Sequence, residues 1–83
     1  MASLSVLIPI ATTWPTAIDL AARDTIIDAL STAKIGKCTG AGGGMGEMDF
    51  SFDVSDLAVS TASIHAIMKT LMPEALYRVH SSE

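Results

Sequence analysis

The chain has 83 residues, 49% of them hydrophobic, with 5 Lys or Arg against 9 Asp or Glu and a formal net charge of −4. That length suits one small domain, expected to span residues 1–83, and the apolar content is that of a folding chain rather than a disordered one. The negative balance opposes nucleic acid and anionic membranes, no apolar run reaches the roughly 20 residues of a spanning helix, and the lone Cys38 excludes an intrachain disulfide or a cysteine-based metal site.

Ser3–Ile10 reads as a first strand, with Leu4, Val6, Ile8 and Ile10 on one face and Ser3, Ser5, Leu7 and Pro9 on the other. Pro9 lacks a ladder donor, so pairing is expected to end near Ile8. The apolar run Leu4–Ala11 follows no basic segment and is too short for a signal peptide of the usual form, which makes a cytoplasmic location the expectation. Thr16 followed by Asp19 forms a capping box with Asp in place of Glu, and Thr13 is a competing cap. A helix is predicted from about Thr16 to Ala33. Its apolar stripe is Leu20, Ile26, Ile27, Leu30 and Ala33, and Asp19, Arg23, Asp24 and Asp28 are expected to face water.

Ile35–Ala41 is a weaker strand interrupted by glycine, and Gly42–Gly46 is expected to be the hairpin loop. All 6 glycines of the chain lie between Gly36 and Gly46. The chain contains neither Asn nor Gln, so turns that need a positive φ must use Gly or Asp. Glu47–Val54 then alternates strictly, with Met48, Phe50, Phe52 and Val54 inward and Glu47, Asp49, Ser51 and Asp53 outward. Ser55 and Asp56 are both good caps for a second helix with Leu57, Ile64, Ile67, Met68 and Leu71 on its apolar side, and Pro73 stops it. Ala75–His80 is a short last strand and Ser81–Glu83 a frayed tail. The order βαββαβ predicts an α+β, ferredoxin-like sandwich: a four-stranded antiparallel sheet, order 4-1-3-2, with both helices on one face.

The glycine cluster invites a nucleotide-binding interpretation that its spacing does not support. A phosphate loop needs GxxxxGK followed by Ser or Thr, but Cys38 follows Gly36–Lys37, and the dinucleotide pattern GxGxxG fails in every register. The loop also leads into a strand, so no helix N-terminus meets a phosphate there. Two readings remain open: plain hairpin slack, or a partner-contacting loop that either lets another backbone approach closely or stays mobile until something binds. On the third strand, Glu47 and Asp49 occupy the positions where an RNA-binding sheet of this kind would carry stacking aromatics, which argues against RNA. Glu47, Asp49 and Asp53 form an acidic row, partly offset by Lys37. It is either a solvated strand face or a surface for a basic partner, and it lacks the further ligands of a hard-metal site.

No spacing joins His65 or His80 to a nucleophile, and Cys38 has only Lys37 nearby, so no catalytic residue and no cofactor are assigned and an enzyme is not expected. Trp14 either staples the start of the first helix or anchors a partner or homodimer contact. The stretch TGAGGGMGEMDFSFDV, the SDL-initiated helix and the terminal MPEALYRVH are similar to small uncharacterised bacterial ferredoxin-like proteins, some of which accompany secreted toxins as immunity proteins. The resemblance covers about half the chain and implies a binding role with no catalytic residue. The expectation is a non-catalytic protein-binding module, of immunity or inhibitor type, that occludes a basic site through Gly42, Gly43, Gly44, Met45, Gly46, Glu47, Asp49 and Trp14. The alternative is a homo-oligomeric small-ligand-binding or regulatory domain whose sheets pack face to face.

Overall fold

Two segments in which large apolar residues alternate with small or acidic ones form the centre of the sheet. In the computed structural model, which describes residues 2–82, the elements are β1 (Ala2–Pro9), α1 (Ala17–Thr32), β2 (Gly36–Gly44), β3 (Glu47–Val54), α2 (Leu57–Leu71) and β4 (Arg78–Ser82). β1 and β3 pair antiparallel from Ala2 opposite Val54 to Pro9 opposite Glu47. Their inward rows, Ala2, Leu4, Val6 and Ile8 against Met48, Phe50, Phe52 and Val54, are all buried. Phe50 and Phe52 meet edge to face, with ring centroids 6.0 Å apart, the arrangement that ring quadrupoles favour. The sheet order is β2-β3-β1-β4, the expected 4-1-3-2 seen from the opposite edge, and every neighbouring pair is antiparallel.

Ile26 and Leu30 of α1 and Ile64 and Met68 of α2 join the same buried cluster, so both helices cover one face of the sheet. On the opposite face the central strands present Ser3, Ser5, Leu7, Asp49, Ser51 and Asp53, all half-buried. The cap of α1 is the one expected. Thr16 Oγ1 accepts from the Asp19 N–H at 3.2 Å, and Asp19 Oδ2 accepts from the Thr16 N–H at 2.9 Å. A cap of this kind contributes about 1 kcal/mol. Asp56 caps α2 by accepting from the Val59 N–H at 3.0 Å. The buried Ser60 is satisfied by donating to the Ile35 carbonyl, which ties α2 to the residue just before β2.

The structure departs from expectation at several places. Strand β1 stays in register through Pro9, because losing one donor at the end of a ladder does not displace the chain. Strand β4 begins at Arg78 rather than Ala75, since the Ala75 N–H closes a turn on the Met72 carbonyl instead. Ser81 and Ser82, expected to fray, pair with Leu4 and Ser3; Glu83 lies outside the described residues. On α1, Leu20 is exposed and Ala33 lies past the helix end, whereas Arg23, expected in water, is half-buried against β2. No described helix is long and apolar enough to cross a membrane.

Two glycines of β2 differ sharply in why they are glycine. A Cβ on Gly36 would lie 1.9 Å from the Asp53 carbonyl oxygen, a backbone atom that cannot step aside. Around Gly40 there is nothing within 4 Å. Gly36→Ala is therefore expected to lower stability by about 1–3 kcal/mol, as overpacking does. Gly40→Ala should raise it by about 0.4–1 kcal/mol by restricting the unfolded chain. Urea unfolding of the two variants beside the native chain checks this, and equal midpoints would refute it.

Candidate functional site at the hairpin end

The glycine-rich segment is a strand, not a loop. Gly42, Gly43 and Gly44 pair with Asp49, Met48 and Glu47, leaving only Met45 and Gly46 to turn the chain. Met45 has φ 55° and Gly46 φ 84°, the twin positive values of a type I′ turn, whose twist matches that of the flanking strands. The expected loop of Gly42–Gly46 is thus corrected to a two-residue turn. Glycine serves Gly46, where φ requires it. Met45 adopts the left-handed region without that help, so an apolar side chain stands at the tip, 92% exposed.

The other glycines are explained by what lies on them. The connection between β1 and α1 runs across the end of the hairpin: the Ile10 N–H donates to the Gly46 carbonyl, and the Gly46 N–H donates to the Thr13 carbonyl, both at 2.9 Å. Trp14 and Pro15 then lie against β2. A Cβ on Gly44 would come 2.6 Å from the Trp14 ring, and one on Gly43 would come 2.4 Å from the Pro15 ring. Thr12 Oγ1 donates to the Trp14 carbonyl at 2.6 Å, which holds the connection in shape. Nearly two helical turns into α1, the Arg23 guanidinium donates to the Gly42 carbonyl at 2.8 Å. Part of the Trp14 ring thus rests on Gly44 of β2, and the residue stays 68% exposed.

The antiparallel register brings further apolar groups to this end. Pro9 of β1, the β2–β3 turn and the start of β4 lie at one end of the sheet, with the first turn of α1 and the last turn of α2. Among the described residues the exposed large hydrophobic side chains are Trp14, Ile18, Leu20, Met45, Val59, Leu71 and Leu76, and all but Val59 belong to this end. Ile18 is 82% and Leu76 83% exposed. Neither was singled out from sequence. The available signal was position: Ile18 lies off the apolar stripe of its helix, and Leu76 follows Pro73 in a segment with no periodicity.

The acidic row is less free than its sequence implies. Glu47 is held by Arg78, which reaches across the open face from β4. Lys37 stands opposite Asp53 in register, but among the described residues Arg78–Glu47 is the sole ion pair. The Asp49 carboxylate leans toward β2, where a Cβ on Gly42 would sit 3.1 Å from its Oδ1. His65 is bonded through Nδ1 to the Tyr77 hydroxyl, and His80 sits opposite Ser5, whose Oγ is 2.9 Å from Ser51 Oγ. Cys38 is half-buried opposite Phe52. No group of three His, Cys, Asp or Glu among the described residues could hold a metal ion. The structure thus gathers Trp14, Gly42, Gly43, Gly44, Met45, Gly46 and Glu47 at one end, with Asp49 one step along the sheet. No family model matches the chain, and neither the curated proteins nor the solved structures contain a match to it.

Gly44→Ala tests the seating of Trp14. At Gly44, φ is +142° and the added methyl would meet the indole, so the ring must lift. The expected result is a red-shifted Trp14 emission and a stability loss of about 1–3 kcal/mol. An unchanged spectrum would show that the ring does not depend on the bare backbone.

Proposed function

We propose that this chain is a small protein-binding module of ferredoxin-like architecture, which engages its partner through the hairpin end and acts by covering a site on that partner. The observation that carries this reading is the gathering of exposed Trp14, Ile18, Met45 and Leu76 at one end of the fold. A folded chain gains nothing from leaving such groups in water, and apolar patches of this kind mark sites of contact with other molecules. Tryptophan and methionine are the types that anchor protein interfaces. A lipid surface fits less well, because the cations of this end are few among the described residues: Arg78 pairs with Glu47, Arg23 donates to the Gly42 carbonyl, and Lys69 alone stands open on the last turn of α2.

Charge has a narrower role in this reading than the composition suggests. With Glu47 neutralised, the open carboxylates beside the apolar end are those of Asp49 and Glu74, and they favour a partner whose contact site is rimmed with Lys or Arg. The inhibitor or immunity role is the specific form of this proposal: occlusion requires no catalytic group on the covering protein.

The test compares Trp14→Ala with Met45→Ser against Val59→Ser, a control at the opposite end of the fold. Partners captured by the native chain from its own cells should be retained by the Val59 variant. The double variant should lose them, with dissociation faster by about thirtyfold or more, the effect of removing an aromatic anchor. Equal retention by both variants would refute the hairpin end as the binding surface.

A further inference from the structure

Strand β2 is an edge strand, and it carries almost none of the usual protection. Sheet edges are normally guarded by charges, prolines, bulges or brevity, because their unpaired backbone groups accept any extended chain. The opposite edge, β4, is five residues long and carries Arg78 and His80. On β2 the guards are Lys37 and a bulge between Cys38 and Gly40, both at the end far from the turn. From Gly40 to Gly44 there is neither charge nor proline nor bulge.

The register shows which groups are free. Gly44 and Glu47 close a two-residue turn and so form a hydrogen-bonded pair; alternation then makes Gly42·Asp49 and Gly40·Ser51 bonded pairs as well. Gly43 and Ala41, between them, turn N–H and C=O away from β3. Both residues are exposed, and among the described residues no loop or cap hydrogen bond ends on either. Gly40 adds a second sign. The other five glycines are accounted for by a positive φ or by a close neighbour, but Gly40 has open space where a side chain would be. A glycine in a strand marks a bulge, a bend or a close approach of another backbone; Gly40 borders the bulge after Cys38 and leaves the space beside it open to such an approach.

The surroundings indicate the chemistry of that backbone. Leu20 and Ile27 share the side of α1 from which Arg23 reaches Gly42, at helical spacings of three and four residues. They form an apolar shelf above the edge; Leu20 is exposed and Ile27 half-buried. On the other face, the Asp49 carboxylate leans over Gly42 with no ion-pair partner among the described residues.

We propose that β2 is an acceptor edge: an extended segment of a protein partner adds beside Gly40–Gly44, with alternate apolar side chains against Leu20 and Ile27 and a basic side chain over Asp49. Main-chain bonds to Ala41 and Gly43 hold the segment, and the alternation selects it. A second copy of this chain fits less well. Its own β2 would bring only the small side chains of Ala41 and Cys38 to the shelf side, and the pairing would join two molecules of net charge −4. The proposal rests on the protein-binding reading above but uses a different surface, so the two can fail separately.

The probe is a short capped peptide alternating valine and lysine, titrated into the isotope-labelled full chain at low salt, with amide exchange followed by NMR. Saturating peptide should slow exchange at Ala41 and Gly43 by about tenfold or more, as pairing of an open edge does. The same peptide N-methylated at alternate residues, which cannot pair, should leave both amides unchanged. Ala41→Pro removes an outward donor without touching the ladder to β3 and should abolish binding, and Asp49→Asn should weaken it about two- to fivefold. Unchanged exchange at Ala41 and Gly43 overturns the proposal, as does equal binding of the N-methylated peptide. Shifts confined to Trp14 and Met45 overturn it too, while leaving the hairpin-end reading intact. A dimeric free protein with both amides already protected assigns the edge to a second copy and overturns it as well.

Discussion

A strand of nine residues that includes five glycines has almost no side chain to bury, so nothing in its own hydrophobicity can hold it in the sheet. Each glycine placed in a strand costs about 0.5–1 kcal/mol relative to alanine. Strand β2 is instead held by its ladder to β3 and by the connection laid over its end: Trp14 on Gly44, Pro15 on Gly43, the Arg23 guanidinium on the Gly42 carbonyl. That contact requires bare backbone, since a methyl at Gly43 or Gly44 would occupy the space of a ring. The glycines and the Trp-Pro pair are therefore two halves of one constraint. The rest of the hairpin end follows from it, because the connection also carries the bonds that tie Gly46 to Ile10 and Thr13.

The same constraint divides the molecule into regions with different physical characters. Away from the turn, the fold is a conventional two-layer sandwich, with β1 and β3 supplying alternating apolar rows and two helices closing over them. Near the turn, side chains are spent on contact with the connection rather than on the core. Met45, at the tip, buries almost nothing and adopts a backbone conformation that methionine disfavours. Apolar groups left outside in this way come from every element that ends there, including both helices. A close-packed core and a constrained but exposed end coexist in one small domain, joined by the β2–β3 ladder and by the contacts at Gly42, Gly43, Gly44 and Gly46.

The core was legible because its signals are periodic. Glu47–Val54 alternates without exception, the two helices have their caps at Thr16 and Asp56, and the order of elements implies the strand order that the structure has. The glycine segment was not legible, because glycine carries no periodicity: a run of it is equally a loop or a strand until something is known to lie on it. The deciding partner, Trp14, is some thirty residues away in sequence. Arg23 was misplaced for a related reason. Helical spacing puts it beside the apolar stripe, and only the carbonyl of Gly42 explains why a guanidinium turns toward the sheet. The acidic row was visible, but its neutralisation at Glu47 depends on Arg78 crossing from the far edge, a contact between residues 31 apart.

The hairpin end and the β2 edge are adjacent, and their adjacency limits what a partner can be. Trp14 and Leu20 lie close to both surfaces, one seated on Gly44 and the other on the helix face above Gly42. A partner with one extended segment and one apolar pocket could occupy both at once, and the second contact would then form at high effective concentration. The edge would supply main-chain bonds that are indifferent to sequence; Trp14 and Met45 would supply contacts that are not. In the proposed complex selectivity would therefore reside in the apolar end and in the open carboxylate of Asp49 beside the strand, while the bare strand would serve as a rail for the correct segment. The glycines that seat Trp14 and Pro15 also leave the strand bare of side chains that would obstruct such a segment, while exposed apolar groups stand at its end.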